Sequence, residues 1–197
     1  MTEATDTLRV VPADAARWDD VVTVMGTRGD PSWCWCQFFH LPNKDWSASS
    51  TPERRAALQQ QVCGAGPAPG VLAYRGDEPA GWCQVGPKPS FARLDTAVVS
   101  RPSADRPDPE ALWAVTCFVV PVGHRRRGVA SALLAGAVDL ARAEGAAAVE
   151  GYPMETGGAR RSSADLYHGT VSMFEQAGFT EVRRPRPGRV VMRLSLR

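Results

Sequence analysis

Lysine is almost missing from this 197-residue chain: of its 23 basic side chains, all but Lys44 and Lys88 are arginine. The formal net charge is only +2, so there is no general positive field for nucleic acid or an anionic membrane, and any basic site has to be local. Long uncharged apolar runs are lacking too. No stretch approaches the roughly 18 residues that a membrane-spanning helix needs. The start, MTEATDTLRV, is acidic and polar where a secretory leader needs a basic end and an apolar run, so the expectation is a water-soluble, cytoplasmic protein without a membrane partner. Two phosphate-binding signatures are also missing. No G-x-x-x-x-G-K-[ST] string occurs, and the stretch from Gly123 to Gly128 lacks the middle glycine of G-x-G-x-x-G.

Five cysteines give an odd count, which without a leader reads as reduced thiols packed as small apolar groups. Cys34, Cys36 and His40 stand close together in WCWCQFFH, but a C-x-C pair with no matching second pair is poor spacing for structural zinc. The expectation is a metal-free protein. What is present in quantity is apolar: 44% of residues are hydrophobic, enough for one domain with a proper core.

Period and punctuation divide the chain. A short strand at 8–11 precedes a helix over 15–25 that stops before Gly26. Ser50, Pro52 and Glu53 carry a hydroxyl cap, a first-turn proline and a glutamate three residues on, predicting a helix to about Cys63. Segments 71–75 and 80–85 predict a hairpin around Gly76 to Pro79. Residues 100–110, polar and with three prolines, read as an exposed loop. The nearly unbroken apolar run 112–120 reads as a central strand buried on both faces. Val129, Leu133, Leu134, Ala137, Leu140 and Ala141 share one helical face closed by Gly145. A strand at 146–149, a short helix at 170–177 and strands at 179–182 and 190–196 complete an α/β pattern.

Between the central strand and the long helix lies PVGHRRRGVAS. A strand that turns through glycine into a helix leaves several backbone N–H groups unpaired in one small space, and the helix dipole adds about half a positive charge there. Arg125, Arg126 and Arg127 sit badly for the helix alone, because cations at an N-terminus oppose its dipole. A bound polyanion removes that penalty. Charge and position alone also fit a solvated basic turn before an ordinary amphipathic helix.

The turn Arg125-Arg126-Arg127-Gly128-Val129-Ala130 follows the pattern [RQ]-x-x-G-x-[GA], and Met173 to Phe179 resembles a (Y/F)-x-x-x-G-F signature about 45 residues on. In these stretches and their order the chain resembles the GNAT superfamily of acyl-CoA N-acyltransferases. Gly81 to Pro87, taken with the strand from Trp113, resembles an uncharacterised bacterial subgroup. The likeness is good over 70–197 and looser over 1–69. It implies a mixed, largely antiparallel α/β (α+β) sheet of six to seven strands, flanked by helices and splayed at the central strands. It implies one domain over 1–197, with an acyl-CoA-binding core at 70–197 and a variable acceptor-side part at 1–69.

It also implies roles. The acetyl-CoA pyrophosphate would lie on the amides of Arg126, Arg127, Gly128, Val129 and Ala130, with Ser131 close behind and Arg125 opening the motif. Pantetheine would pair with backbone groups of Phe118, Val119 and Val120, where an N–H can also hold the developing oxyanion. Many relatives carry a catalytic tyrosine at the position of Phe174, which here has no hydroxyl and is left as a cofactor contact. Tyr167 stands where relatives often have a cofactor-touching asparagine. The general acid is then Tyr167, Tyr152 or water; the general base is Glu150, next Glu155, or water.

Trp33, Trp35 and Phe38 fall in the region that builds acceptor pockets in such proteins, and aromatics there would favour an apolar or cationic acceptor. Core packing of an aromatic helix or loop is the larger part of what such a segment does. The functional expectation is acetyl transfer from acetyl-CoA to a primary amine of a small molecule or peptide. A non-catalytic acyl-CoA-binding or sensing module is the alternative, supported by Phe174, and a nucleic-acid binder is disfavoured by the low net charge. Oligomeric state stays open, a homodimer included.

Overall fold

The computed structural model describes residues 7–97, 100, 111–156 and 167–196. The acidic start over residues 1–6 and, apart from Ser100, the loop expected over 100–110 lie outside the described residues. Among the described residues seven strands form one sheet: β1 (Leu8–Pro12), β2 (Gly70–Arg75), β3 (Glu78–Pro87), β4 (Leu112–Val119), β5 (Ala148–Gly151), β6 (Thr180–Arg186) and β7 (Arg189–Ser195). Their order is β1-β2-β3-β4-β5-β7-β6. Neighbours run antiparallel, except the parallel pair β4 and β5.

Helices α1 (Trp18–Met25), α2 (Asp30–Cys34), α3 (Asn43–Ala48) and α4 (Thr51–Cys63) precede β2; α5 (Ala92–Thr96) follows β3. Helix α6 (Val129–Ala143) connects β4 to β5, and α7 (Val171–Gln176) leads into β6. The predicted capping box of α4 is present, with Glu53 N–H donating to Ser50 Oγ and Ser50 N–H donating to the Glu53 carboxylate. The six apolar positions predicted for one face of α6 are all buried. Helix α6 ends in a Schellman motif: Ala146 N–H donates to the Ala141 carbonyl and Gly145 N–H to that of Arg142. That motif spends the Ala146 N–H, and β5 is regular only from Ala148 and not from the expected 146.

Alternation along the strands separates two faces. Val71, Ala73, Trp113, Val115 and Val149 pack with α6, whereas Leu72, Tyr74 and Trp82 pack with α1 and α4. Farther along this second face, Phe39, Phe91 and Leu94 cover Ala114, Tyr152 and Val191. The alternation breaks once on β4: Gln84 pairs with Cys117 and Val85 with Val115, so Thr116 is an extra residue. A bulge of this kind bends a strand and ends its regular pairing. Strands β4 and β5 pair only from Leu112–Ala148 to Val115–Gly151. Beyond that, β4 continues to Val119 with no strand paired beside it on this side among the described residues, the splay that the resemblance implied.

Candidate functional site

Three features meet where β4 leaves β5. The first is the turn into α6. After a 3-10 turn at Val122–His124, Arg126 adopts φ 58 and Gly128 φ 77, and Gly128 caps α6 with no side-chain hydrogen bond. Among the described residues no carbonyl receives the amides of Arg126, Arg127, Gly128, Val129, Ala130 or Ser131. The Arg127 carbonyl is held by Arg75. A Cβ on Gly128 would meet nothing nearer than Leu8 Cδ1 at 4.0 Å, so the backbone there can be approached closely. Left-handed residues at 126 and 128 with unspent N–H groups make an anion-binding concavity. The loop fits a diphosphate.

The second feature is the open edge of β4. Phe118 N–H donates to the Tyr167 carbonyl at 2.7 Å, and Arg125 Nε donates to the Val120 carbonyl at 2.9 Å. The two strand groups expected to face pantetheine are thus engaged by the chain itself. Next to Tyr167, the buried His168 ring bonds to the Thr116 carbonyl on the bulge. Its Nδ1 is buried and has no hydrogen-bond partner among the described residues. Burial, then the charge of Arg189, lowers the His168 pKa to about 3. The Tyr167 ring lies over it with centroids 4.0 Å apart, and burial raises that phenol's pKa.

The third feature is a cavity of about 370 Å³ on the second face of the sheet. Phe38, Phe39 and Asn43 form one wall; Tyr152, Tyr167 and His168 form the side toward β4. Arg93, Arg186 and Arg189 supply its charges. The acceptor residues expected from sequence divide here. Phe38 lines the cavity, but Trp35 is buried against Trp18, and Trp33 packs on Trp46 with 43% of its surface exposed. The left-handed residues Trp35 and Cys36 turn the chain between these positions, so the aromatic run does not act as one wall.

Glu150 is not at an open strand end. It is 1% exposed, and its carboxylate accepts from Lys88 at 2.8 Å, the Tyr152 hydroxyl at 2.8 Å and Arg193 at 2.5 Å. Both oxygens are occupied by cationic or hydroxyl donors. Glu155 is exposed and paired with Arg184 at 2.6 Å. Phe174 is fully buried, its ring filling the space that a Cβ on Gly151 would need, 2.1 Å away. It packs under Phe118 and touches the site only through that ring.

Burial, with Cys36 next, pushes the Cys34 thiol up to about 12. A hydrogen bond with Cys117, then burial, raises Cys36. These are thiols, whereas metals bind thiolates. Among the described residues no three His, Cys, Asp or Glu side chains are grouped to hold a metal ion. No helix of the described residues is long and apolar enough to cross a membrane.

Sequence reasoning missed His168, Arg93, Arg186 and Arg189. Proximity to Tyr167 was the only signal for the first, and the arginines are lost among many.

Comparison with known proteins adds the following. The model of the acetyltransferase (GNAT) family matches residues 35–169. No curated protein matches the chain. Among solved structures, the GNAT domain of PAT from S. lividans is similar with TM-score 0.53 at 20% identity, covering 96% of this chain and 90% of that one. A GCN5-related N-acetyltransferase from Kribbella flavida gives 0.53 at 19% identity, covering 96% and 98%. PaiA N-acetyltransferase from Thermoplasma acidophilum, in complex with coenzyme A, gives 0.51 at 9% identity, covering 96% and 99%. At these identities the likeness is one of fold.

Proposed function

The chain belongs to the acetyltransferase (GNAT) family, and on that premise we propose that it transfers an acetyl group from acetyl-CoA to a primary amine of a small molecule or peptide. The observation that carries this reading is the unpartnered row of amides at 126–131. A pyrophosphate offers the acceptors these donors lack, and Arg126 and Arg127 add charge around it. Arg125 anchors the turn to β4 through the Val120 carbonyl. Bound acetyl-CoA would supply the thioester that the amine attacks.

On this reading pantetheine follows Phe118, Val119 and Val120, and the Tyr167 carbonyl gives up the Phe118 N–H so that it can face the thioester oxygen. Displacing that segment also uncovers His168 Nδ1. Held neutral, the ring keeps one acceptor nitrogen, suited to orient an N–H of the incoming amine. Tyr167 is the phenol left to protonate the departing thiolate, because Tyr152 spends its proton on Glu150. Glu150 then acts as a positioning residue.

Calorimetric titration with acetyl-CoA tests the turn. The parent should bind, and Gly128→Asp should not, since a carboxylate would stand where the diphosphate approaches. Because Gly128 sits at φ 77, the variant also carries roughly 1 kcal/mol of backbone strain, seen as a slightly lower melting temperature. Equal affinity in both proteins would remove the pyrophosphate from this turn. A sensing module that binds acyl-CoA without turnover is the second reading, favoured by the missing hydroxyl at Phe174 and by the Tyr167 carbonyl on Phe118. Release of CoA thiol with an amine panel separates the two.

A further inference from the structure

We propose that the acceptor is an amine that also carries an oxyanion, a carboxylate or a phosphate ester, held by Arg93, Arg186 and Arg189. This deepens the acyltransferase reading and rests on it for the chemistry, though not for the binding.

Three guanidinium groups line the 370 Å³ cavity, and among the described residues no Asp or Glu does. Among the described residues none of the three forms an ion pair. Arg93, on α5, is fixed by donation from Nε to the Phe38 carbonyl at 2.5 Å and from Nη1 to Asn43 Oδ1, and its guanidinium lies 4.0 Å from the Phe38 ring centroid. Its Nη2 is buried and has no partner at all. An orphaned donor on a cation is costly unless a ligand meets it. Arg186 and Arg189 flank the β6–β7 turn at the opposite rim. Arg189 acts on His168 and Tyr167, so its charge reaches the end of the cavity beside the β4 edge.

Like charges around a small, half-open cavity, with Arg186 at its exposed rim, repel one another, and an oxyanion removes that repulsion while accepting charge-assisted, often bidentate, hydrogen bonds. The size suits a small molecule, at the lower end of the roughly 300–1,000 Å³ usual for such sites. The same cations oppose a second positive charge, which argues against the apolar or cationic acceptor that the aromatic run suggested. They also help the chemistry. A neighbouring cation lowers the pKa of an ammonium, so an amine tethered by its anion beside Arg189 is more often neutral and able to attack. Bond making is then simple: the amine nitrogen joins the acetyl carbon, the carbon–sulfur bond breaks, and the amine proton ends on the CoA sulfur through Tyr167 or water.

The test is a panel of acceptors with acetyl-CoA, reading CoA thiol: α-amino acids, the same amino acids as primary amides, simple alkylamines and phosphoethanolamine. The acids or the phosphate should exceed the amides at least about tenfold in kcat/KM, and Arg189→Gln and Arg186→Gln should each cut that acid-to-amide ratio about tenfold. Which anion leads tells carboxylate from phosphate. Amides or alkylamines turning over as well as acids, or a ratio unchanged in both variants, would overturn the proposal and leave the acyltransferase intact. If no amine releases CoA, titration with N-acetylglutamate and phosphoethanolamine decides. Binding lost in Arg189→Gln keeps the anion site while the enzymatic reading falls, and absence of binding to either probe removes the anion site.

Discussion

His168 is kept neutral by burial and by Arg189, with a pKa of about 3 against an ordinary 6.5. The sign of its effect on stability follows. Between these values the unfolded chain binds a proton that the folded chain refuses, so the contribution is complete above about 6.5 and is lost as pH falls toward 3. His40, lowered by burial as well, acts in the same direction. Melting temperatures at pH 7.5 and 5.0 should therefore differ, and His168→Gln should shrink the difference without abolishing it. An unchanged difference would mean that the imidazole is not held neutral. His168 itself could not be found from sequence, since nothing in LYHGT marks which ring is buried. Gly128 could be found, because a strand, a glycine turn and a helix in succession demand the backbone geometry observed there.

Strand β4 carries the site because of one added residue. Thr116, extra at the bulge, donates its hydroxyl to Gln84 Oε1 at 2.8 Å, and Gln84 Nε2 donates to the Cys36 carbonyl at 2.8 Å. This chain ties the central strand to the aromatic segment, all of it out of water. Thr116→Val keeps the shape and removes the donor, leaving the Gln84 oxygen buried and unmet, so chemical denaturation should show a loss of about 1–3 kcal/mol. A loss near zero would mean that the bulge is not held by this bond. The bulge had no sequence signal; β4 reads simply as apolar. Helices α2, α3 and α5 were missed because five or six residues are too few to establish a period of 3.6, and none of them is followed by a glycine stop as the equally short α7 is by Gly178. The long α6 and the capped α4 were legible because face, cap and stop all agree within one segment.

Across the whole molecule the least legible feature is the one that joins most of it. Glu150 on β5 meets Lys88, 62 positions earlier at the end of β3, and Arg193, 43 positions later on β7. Only the folded sheet, in which β5 lies between β4 and β7, brings them together, and no local pattern announces a pairing at that separation. One of the chain's two lysines is thus buried, 3% exposed, donating to Glu150 and to the Ser100 carbonyl. Removing one member of such a group strands the others, because a buried cation without its carboxylate keeps the full cost of leaving water. Glu150→Gln should therefore destabilise the apo protein by about 3–5 kcal/mol, measured by denaturant titration in the absence of any substrate. Glu150→Gln with Lys88→Met should recover part of that loss, since the buried ammonium is then gone, although Arg193 has still lost its bond to Glu150. A general base would behave in the opposite way. Its substitution would lower turnover and leave the melting temperature in place, and the Lys88→Met change would restore nothing. If Glu150→Gln folds as stably as the parent while CoA release collapses, Glu150 is the base after all and the brace between the three strands is not what holds them.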